Sequence, residues 1–299
     1  MQNVTAINIK INTMSTGAKV KFTCCIFFMF LYNIGNAQIS QPRSFDFKQG
    51  DEYQKETSIN STCTIQRGNQ KLDINSSSSV TKLYKVTAVT GTNFVFTVSI
   101  KKMGDTLSAL GQKLPYNSEK PIDDSTSRIE KALSYMINKP VNVRVDKHGT
   151  ILSKDTSVEL ANDTLLAFTG IQPELFIEGR TFGLLANFTS NKLKKGYNWT
   201  VPPTITAKQK VVTKYWVYAV SDTSTVIKFT SSVTGGSVNS NTNGTYILDK
   251  SGIIVERFIQ SLSAGYAVIG KTIYATTRSS SIHETCRKMP SSVFAQIGN

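Results

Sequence analysis

Residues 212–220 read VTKYWVYAV, and residues 81–89 read TKLYKVTAV. In the 81–89 stretch, Tyr84, Val86 and Ala88 alternate with polar residues, which is the pattern of a β-strand with one buried face. The 212–220 stretch is apolar on both faces, which favours a strand near the middle of a sheet. Both stretches therefore predict strands, and their likeness to each other suggests a fold with two related halves.

The same alternation recurs along most of the chain, and turn signals separate the apolar runs. Many strands joined by short turns predict one large antiparallel sheet. The candidate strand residues are Phe94, Phe96, Val98 and Ile100; Val141, Val143 and Val145; Ile253 and Val255; and Tyr266 and Val268. The candidate turns are Gly91-Thr92-Asn93, Gly235-Gly236 and Asn243-Gly244.

Two further pairs of segments occur in the same order as the first pair. Residues 47–53 resemble residues 193–199, and residues 145–151 resemble residues 248–254. The last pair shares the pattern Asp-Lys-x-Gly between apolar runs, which predicts a hairpin turn whose glycine takes a positive φ. Common β-turns recur by chance, but three matches in one order favour two related halves of one sheet.

A helix is expected in the middle of the chain, where apolar residues recur at helical spacing before Pro140. These residues are Ile129, Ala132, Leu133, Met136 and Ile137, with Asp124 or Ser125 as the cap, and shorter helical pieces are expected at 158–168 and 173–187. The predicted fold is α+β but mainly β: a large curved antiparallel sheet, or half-barrel, around a helical centre. The expected domain is 38–299, with a first half at 45–153, the helical centre at 124–190 and a second half at 193–277.

Residues 1–37 have the build of a short upstream stretch followed by a secretory signal peptide. Two lysines precede an apolar run at 22–34, which is about 13 residues long and shorter than the roughly 20 that a transmembrane helix needs. Small residues then predict a cut after Ala37. Because Gln38 and not a cysteine follows the cut, we expect a periplasmic or secreted protein without a lipid anchor.

The chain carries a net charge of +14, and its basic residues are spread out, most densely at 192–195 and 208–214. They are neither concentrated on one helix nor interleaved with aromatic residues, so nucleic-acid binding is not expected. A basic exported surface favours an anionic polymer of the cell envelope as partner. After residue 37, no apolar stretch reaches membrane length.

Two cysteines, Cys63 and Cys286, follow the expected cut. An exported chain with an even number of cysteines invites a disulfide, and two unrelated buried thiols are the alternative. The sequence has no C-x-x-C pair, so it predicts neither a redox motif nor a zinc site, and no metal or cofactor is expected.

Catalytic motifs are absent from the sequence: it has no G-x-S-x-G elbow, no H-E-x-x-H, no Walker loop and no dinucleotide fingerprint. His283 and Cys286 are close enough in sequence to suggest a nucleophile pair, but nothing nearby would orient the base. We therefore predict no catalytic residues and no enzyme activity.

Three motifs stand together in this chain: Gln49-Gly50-Asp51-x-Tyr53, Leu114-Pro115-Tyr116-Asn117-Ser118, and Asn138-Lys139-Pro140 followed by Val-x-Val-x-Val-Asp146-Lys-x-Gly149. With them the chain resembles, over most of residues 45–260, a family of exported proteins of unknown function common in Bacteroidota. Its architecture is similar to the half-barrels of lipoprotein carriers and mycobacterial lipid carriers. Many members are lipid-anchored, whereas this chain lacks a cysteine at the cut, and the resemblance implies no catalytic residues.

Aromatic residues on the predicted strands face apolar residues of the predicted helical centre. This pattern favours a binding module that holds an apolar or amphipathic ligand, such as a lipid, between sheet and helices. The expected lining residues are Phe94, Phe96, Leu133, Met136, Tyr215 and Val217. A structural or adhesion-type envelope protein with a filled core is the alternative, and an unrecognised hydrolase is the third.

Overall fold

The computed structural model describes residues 44–121, 127–155, 169–171, 174–186, 188, 193–206, 209–269 and 272–290. The elements are β1 (Glu52–Arg67), β2 (Gln70–Thr90), β3 (Asn93–Ala109), β4 (Gln112–Asn117), α1 (Arg128–Tyr135), β5 (Val141–Asp146), β6 (Ile151–Lys154), β7 (Asn198–Thr206), β8 (Gln209–Val220), β9 (Ser224–Thr234), β10 (Val238–Asp249), β11 (Ile254–Ile269) and β12 (Thr272–Lys288). The mainly-β prediction is confirmed: all twelve strands join one antiparallel sheet.

The sheet is open, and its first and last strands meet in the middle. The strand order is β6-β5-β3-β2-β1-β12-β11-β10-β9-β8-β7, with β4 paired to β3. We call the end where β1 begins and β12 ends the upper rim. The lower rim carries the β1–β2, β3–β4, β9–β10 and β11–β12 connections. The inner face of the sheet is the one that carries the buried side chains.

The matched segments of the two halves make the same backbone hydrogen bonds. In the first half, Gly50 N donates to Val86 O at 2.8 Å; in the second, Gly196 N donates to Val217 O at 2.9 Å. Directly after each of these valines the strand register shifts, which marks a β-bulge in β2 and again in β8. Similar sequences therefore produce the same local geometry twice.

The β5–β6 and β10–β11 turns also correspond. Gly149 N donates to Asp146 O at 3.0 Å, and Gly252 N donates to Asp249 O at 3.1 Å. Both glycines have a positive φ, +84° and +90°, as the Asp-Lys-x-Gly pattern predicts. Each turn has four residues between its strands, and in each the glycine N–H donates to the aspartate carbonyl oxygen.

One segment ties the two turns together. We call the described residues 174–186 the strap. Ile151 N donates to Arg180 O at 2.8 Å, and Ile254 N donates to Leu184 O at 3.0 Å. The strap thus adds a short stretch of pairing to both turns, and its apolar residues enter the cores of both halves.

The expected helical centre is not shown, because α1 is the one complete helix among the described residues. It spans 128–135 rather than 129–137, and its cap is Ser127, whose Oγ accepts from Glu130 N at 3.3 Å. The strap, which falls within the helix expected at 173–187, consists of turns and extended backbone. Its backbone groups bond to the two turns and are not available for helical bonds. Residues 158–168 and the expected caps, Asp124 and Ser125, lie outside the described residues.

Two strand-level expectations are also wrong. Asn243-Gly244 is not a turn but lies inside β10, where an added Cβ on Gly244 would sit 2.4 Å from the Phe229 ring. The glycine therefore makes room for a neighbouring aromatic ring. Strand β8 is not central: it lies next to the edge strand β7, and Tyr218 and Val220 on its outer face are exposed.

Among the described residues, no helix is long and apolar enough to cross a membrane. The residues expected to form the signal peptide lie outside the described part of the chain.

Candidate functional site

A cavity of about 260 Å³ opens at the upper rim, and we call it the rim cavity. Three elements form its walls: residues 44–48, which we call the lead-in segment; the upper ends of β1 and β12; and the β10–β11 turn. The lining residues are Phe45, Asp46, Phe47, Tyr53, Asp249, Ser251, Ile253, Val255, Cys286 and Lys288.

One wall of the rim cavity is aromatic. The rings of Phe45 and Phe47 stack with centroids 6.0 Å apart, and Phe47 meets Tyr53 edge-on at 5.7 Å. Alternation in the lead-in segment turns both phenylalanines to the same side, and both are buried. Burial raises the pKa of the Tyr53 hydroxyl, and the nearby Asp51 charge raises it further. Tyr53 is therefore a neutral hydrogen-bonding group at any physiological pH.

The opposite wall is polar and held in place by its own turn. Asp249 Oδ1 accepts from Ile253 N at 2.9 Å and from Ser251 Oγ at 2.6 Å. At the mouth, Lys288 Nζ lies 2.7 Å from Asp51 Oδ1. An ammonium group has three donors, so Lys288 can serve Asp51 and a second acceptor together.

Below the rim cavity lies a group of five charged side chains, which we call the charge cluster. Its members are Lys55, Lys82, Glu174, Arg257 and Glu284. Glu174 reaches it from the strap: its Oε2 lies 3.1 Å from Lys82 Nζ and 3.7 Å from Lys55 Nζ. Tyr84 OH donates to the same oxygen at 2.5 Å. The strap is therefore attached to the sheet by a buried carboxylate with three partners.

Glu284 is the second buried carboxylate of the charge cluster. Its Oε2 pairs with the Arg257 guanidinium and lies 4.0 Å from Lys55 Nζ, and its Oε1 accepts from Thr57 Oγ1 at 3.4 Å. Lys55 thus lies between the two carboxylates. Among the described members of the charge cluster, three cations face two carboxylates.

The pKa values follow from this arrangement. Burial by itself raises the pKa of Glu174, but Lys55 and Lys82 outweigh it and lower the pKa to about 2. The pKa of Glu284 is lowered in the same way, since its burial is outweighed chiefly by Arg257. Both carboxylates are therefore ionised at neutral pH. Cys286 lies across from Lys55 in the register, and burial raises the pKa of its thiol to about 12.

A row of hydroxyl side chains crosses the inner face below the charge cluster, and we call it the hydroxyl belt. Its members face each other strand by strand: Thr213, Ser231, Thr242, Ser261, Ser280, Ser61 and Ser76. Thr213 and Ser231 share a hydrogen bond of 2.9 Å, and Ser261 and Ser280 one of 2.7 Å. Ser61 Oγ, which belongs to the belt, is buried and makes no hydrogen bond to another described group.

The six residues expected to line a ligand site are all buried, but they lie apart. Phe94 and Phe96 belong to the first-half core, Leu133 and Met136 to the core beneath α1, and Tyr215 to the second-half core. Val217, the sixth, is also buried, on β8. None of the six lines the rim cavity. Their role as lining residues stays a prediction.

The expected disulfide between Cys63 and Cys286 is wrong: both thiols are free. In the β1–β12 register, Cys63 lies opposite Arg278, and Cys286 lies opposite Lys55. Eight residues of β1 separate the two positions, a distance of roughly 26 Å at about 3.3 Å per residue. A disulfide needs Cα atoms within about 7 Å of each other.

Nothing in the described residues assembles a metal site or the Cys–His pair. No group of three or more His, Cys, Asp or Glu side chains there could hold a metal ion. His283 lies on the outer face, where it stacks on Phe258 and pairs with Glu256 Oε1 at 2.9 Å. Cys286 lies on the inner face.

Sequence reasoning missed the charge cluster, although the strand pattern contains a signal for it. Lys55 shares its phase with the apolar Tyr53 and Ile59, so alternation turns it inward. Arg257 likewise shares its phase with Ile259. A charged residue at an apolar phase of a strand indicates a buried ion pair, since a lone buried charge is too costly.

No protein-family model matches the chain, and no curated protein matches it. Among solved structures it is similar to lipovitellin, with 11% identity and a TM-score of 0.48, over 84% of this chain and 27% of that one. It is also similar to an outer-membrane channel from Pseudomonas putida F1, with 8% identity and a TM-score of 0.27, over 84% of this chain and 100% of that one. At these TM-scores the likeness carries no argument about family or function.

Proposed function

We propose that the chain is a non-enzymatic binding module that holds a small amphipathic ligand in the rim cavity. The observation that carries the proposal is the two-sided lining of this cavity. The aromatic wall of Phe45, Phe47 and Tyr53 suits an apolar chain or ring, and the polar wall of Ser251 and Lys288 suits a polar end. The site differs from the expected one, since it lies at the upper rim and not between sheet and helices.

The size of the rim cavity limits the ligand. About 260 Å³ corresponds to roughly nine water molecules at about 30 Å³ each. Pockets that enclose whole drug-sized molecules start near 300 Å³. The cavity therefore accommodates one small amphipath, or the end of a longer chain whose remainder lies outside.

Lys288 can hold the polar end of the ligand. Lys288 is the one cation among the lining residues, and its ammonium group keeps donors free after it pairs with Asp51. The charge cluster lies directly below, since Lys55 is opposite the lining residue Cys286. Because Asp46 and Asp249 also line the cavity, a fatty-acid-like carboxylate would be held by a hydrogen bond from Lys288 and not by the net charge of the lining.

The proposed setting is outside the cytoplasm. The sequence of residues 1–37 supports export through a signal peptide, and the free thiols neither require nor contradict it. We include periplasmic or secreted location in the proposal on that ground.

The test is uptake of a dansyl-labelled fatty acid by the purified chain, followed by fluorescence. We expect saturable binding that falls about tenfold or more in Val255→Phe, because the larger ring fills the cavity. Val220→Phe is the matched control, since that valine is exposed on the outer face of β8, away from the cavity. Lys288→Gln should weaken binding of the labelled acid, and Lys195→Gln, at an exposed lysine outside the lining, should not.

Mass spectrometry of an organic-solvent extract of the purified chain is the second measurement. A small amphipath that co-purifies with the wild type and is depleted in Val255→Phe supports the proposal. Absence of any such molecule, together with no uptake of the labelled acid, contradicts it. That result would favour the structural or adhesion-type alternative.

A further inference from the structure

The lower rim carries exposed apolar side chains on a projecting hairpin. Pairing of β12 with β1 ends at Ala275, and pairing of β11 with β10 ends at Gly265, so the end of the β11–β12 hairpin extends past both neighbours. On its outer face Tyr266 is 62% exposed, Val268 47% and Ile273 64%. We call these three residues the apolar tip. Val268 and Ile273 are directly opposite each other in the register, so the tip is one continuous patch.

A second exposed apolar spot lies at the β3–β4 turn of the same rim. Leu110 is 82% exposed and Leu114 is also exposed. Strands β2, β1 and β12 separate β3 from β11, so about 19 Å lies between the two spots at about 4.8 Å per strand step. The rim thus presents two apolar spots along its length and not a single pocket.

Basic residues surround these spots, and acidic residues are nearly absent. The described lower-rim segments are 64–73, 107–114, 209–212, 232–240, 262–269 and 272–278. Their basic residues are Arg67, Lys71, Lys113, Lys210 and Arg278. The one acid in these segments is Asp73, whose Oδ2 pairs with Lys71 Nζ at 2.9 Å. Arg67 and Lys71 occupy the β1–β2 turn region, between the two apolar spots.

The upper rim carries both signs of charge, and its basic residues include Lys48, Lys85, Lys147, Lys250 and Lys288. Its described residues include several carboxylates, and some of these are exposed. They include Asp46, Asp51, Glu52, Asp146, Glu178, Asp222 and Asp249. The described segments of the lower rim therefore combine an exposed apolar hairpin end with more basic than acidic residues, whereas acidic and basic residues are mixed at the upper rim.

We propose that the lower rim docks onto an anionic lipid surface, with the apolar tip inserted among the headgroups. Tyrosine and aliphatic side chains flanked by lysine and arginine are typical of segments that lie at a membrane interface. Basic residues near an anionic leaflet add electrostatic attraction that fades within a Debye length. The cavity of the proposed function lies at the opposite rim, so the docking does not depend on it.

A lipid surface fits better than a second copy of the chain. A stable protein interface buries about 800 Å² on each partner, far more than three side chains provide. The apolar spots are also separated by a basic turn, which would repel the same turn of another copy. A fluid anionic surface instead satisfies both spots and the cations between them at once.

The experiment is co-sedimentation of the purified chain with vesicles. One set contains phosphatidylcholine alone and the other phosphatidylcholine with phosphatidylglycerol. We expect binding to the anionic vesicles that weakens as salt rises. Val268→Ser with Ile273→Ser should reduce partitioning about tenfold or more, since both side chains lose their burial in lipid. Arg67→Gln with Lys113→Gln should reduce it about fivefold per charge.

Matched controls use the upper rim. Val89→Ser with Val220→Ser removes two exposed valines, which are 41% and 47% exposed, and Lys194→Gln with Lys195→Gln removes two exposed lysines. Both control pairs should partition as the wild type does. Equal losses in the control and lower-rim variants would overturn the proposal, as would no binding to anionic vesicles at low salt.

A site-specific probe covers the case in which the tip variants fold poorly. Ile273→Cys and Val220→Cys, each carrying a nitrobenzoxadiazole label, are compared in a chain with Cys24→Ser and Cys25→Ser. A blue shift on anionic vesicles at 273 but not at 220 supports insertion of the tip. No shift at 273 contradicts it. A shift at 273 without vesicles, together with a dimer in sedimentation, would assign the patch to a second copy and overturn the proposal.

Discussion

The β5–β6 turn and the β10–β11 turn have the same backbone but different surroundings. Asp146 Oδ1 accepts from Thr150 N at 2.8 Å, and Asp249 Oδ1 accepts from Ile253 N at 2.9 Å. The first turn is covered by the lead-in segment, whose Phe45 N donates to Lys147 O at 2.8 Å. The second turn forms a wall of the rim cavity. The two turns share a backbone conformation, but the lead-in segment bonds to the first turn. The rim cavity opens beside the second turn.

One pair of facing core residues differs between the two halves. On β3 and β5, Phe96 lies opposite Val143; at the corresponding positions of β9 and β10, Ile227 lies opposite Tyr246. The aromatic residue is on β3 in the first half and on β10 in the second half. Each cross-strand pair still combines one ring with one aliphatic side chain. Packing therefore constrains the pair and not each position by itself.

The corresponding tyrosines of β2 and β8 also make different contacts. Tyr84 donates to Glu174 of the strap, whereas Tyr215 stacks on Trp199 with ring centroids 5.2 Å apart. The strap is thus held to the first half by a buried ion-pair network. Beside the second half, Phe188 packs against the Tyr215 ring at 5.6 Å.

Glu174→Gln should cause the largest loss of stability, because it removes the charge that attaches the strap to the first half. Lys55 and Lys82 would keep buried positive charges with one carboxylate fewer. Loss of one partner from a buried pair costs about 3–5 kcal/mol, so we expect that decrease in the free energy of unfolding by urea titration. Glu178→Gln, at an exposed carboxylate of the same strap, is the control. A loss equal to the control would show that the network does not hold the strap.

The pH dependence of stability should follow from the same carboxylate. The pKa of Glu174 is about 2 when folded, below the ordinary value of 4.5 expected for the unfolded chain. Its contribution is complete above about pH 4.5 and is lost as the pH falls towards 2. Urea midpoints of the wild type should therefore drop across this window. The drop should be smaller in Glu174→Gln and should not vanish, since the pKa of Glu284 is lowered too.

Exchange of the aromatic ring tests the equivalence of the two cores. Phe96→Ile alone leaves a void and should cost about 1–3 kcal/mol, and Val143→Phe alone overpacks by a similar amount. Both changes together reproduce the ring placement of the second half and should recover most of the loss. A double-mutant cycle in urea measures this coupling. Simply additive losses would mean that the halves are not equivalent in packing.

Two glycines with the same φ should respond differently to alanine. Gly196 has φ +85° and open space where an added Cβ would lie, so Gly196→Ala should cost about 1–2 kcal/mol from backbone strain. Gly149 has φ +84°, but its Cβ would lie 3.0 Å from Leu185 Cδ1 and from Phe45 Cε2. Gly149→Ala should cost about 2–4 kcal/mol, because crowding adds to the strain. Thermal unfolding distinguishes them, and equal losses would rule out the crowding.

The smallest expected effect concerns the thiols. In a chain with Cys24→Ser and Cys25→Ser, gel mobility should not change with reductant, since Cys63 and Cys286 are free and far apart. Burial raises the pKa of both thiols, so they should react with a disulfide reagent only after unfolding. A mobility change on reduction would contradict the register of β1 and β12.

Local pattern was sufficient for several strands and for the two matched turns. The alternation at Tyr84 and Val86 predicts β2, and the Asp-Lys-x-Gly pattern predicts both turns at their observed residues. It failed at Asn243-Gly244, where a common turn dipeptide lies inside a strand because Phe229 needs the space. Local sequence patterns do not indicate a neighbour that comes close only after the strands have paired.

By itself, the sequence determined strands such as the one at 81–89 and the positions of the two Asp-Lys-x-Gly turns, because these depend on residues a few positions apart. Only the tertiary structure decided that β1 pairs with β12, which keeps the cysteines apart and brings Lys55 beside Glu284. It also decided that the lead-in segment covers one turn while the other helps to form the rim cavity. These features depend on the register between distant strands, and that register is set when the whole inner face is buried at once.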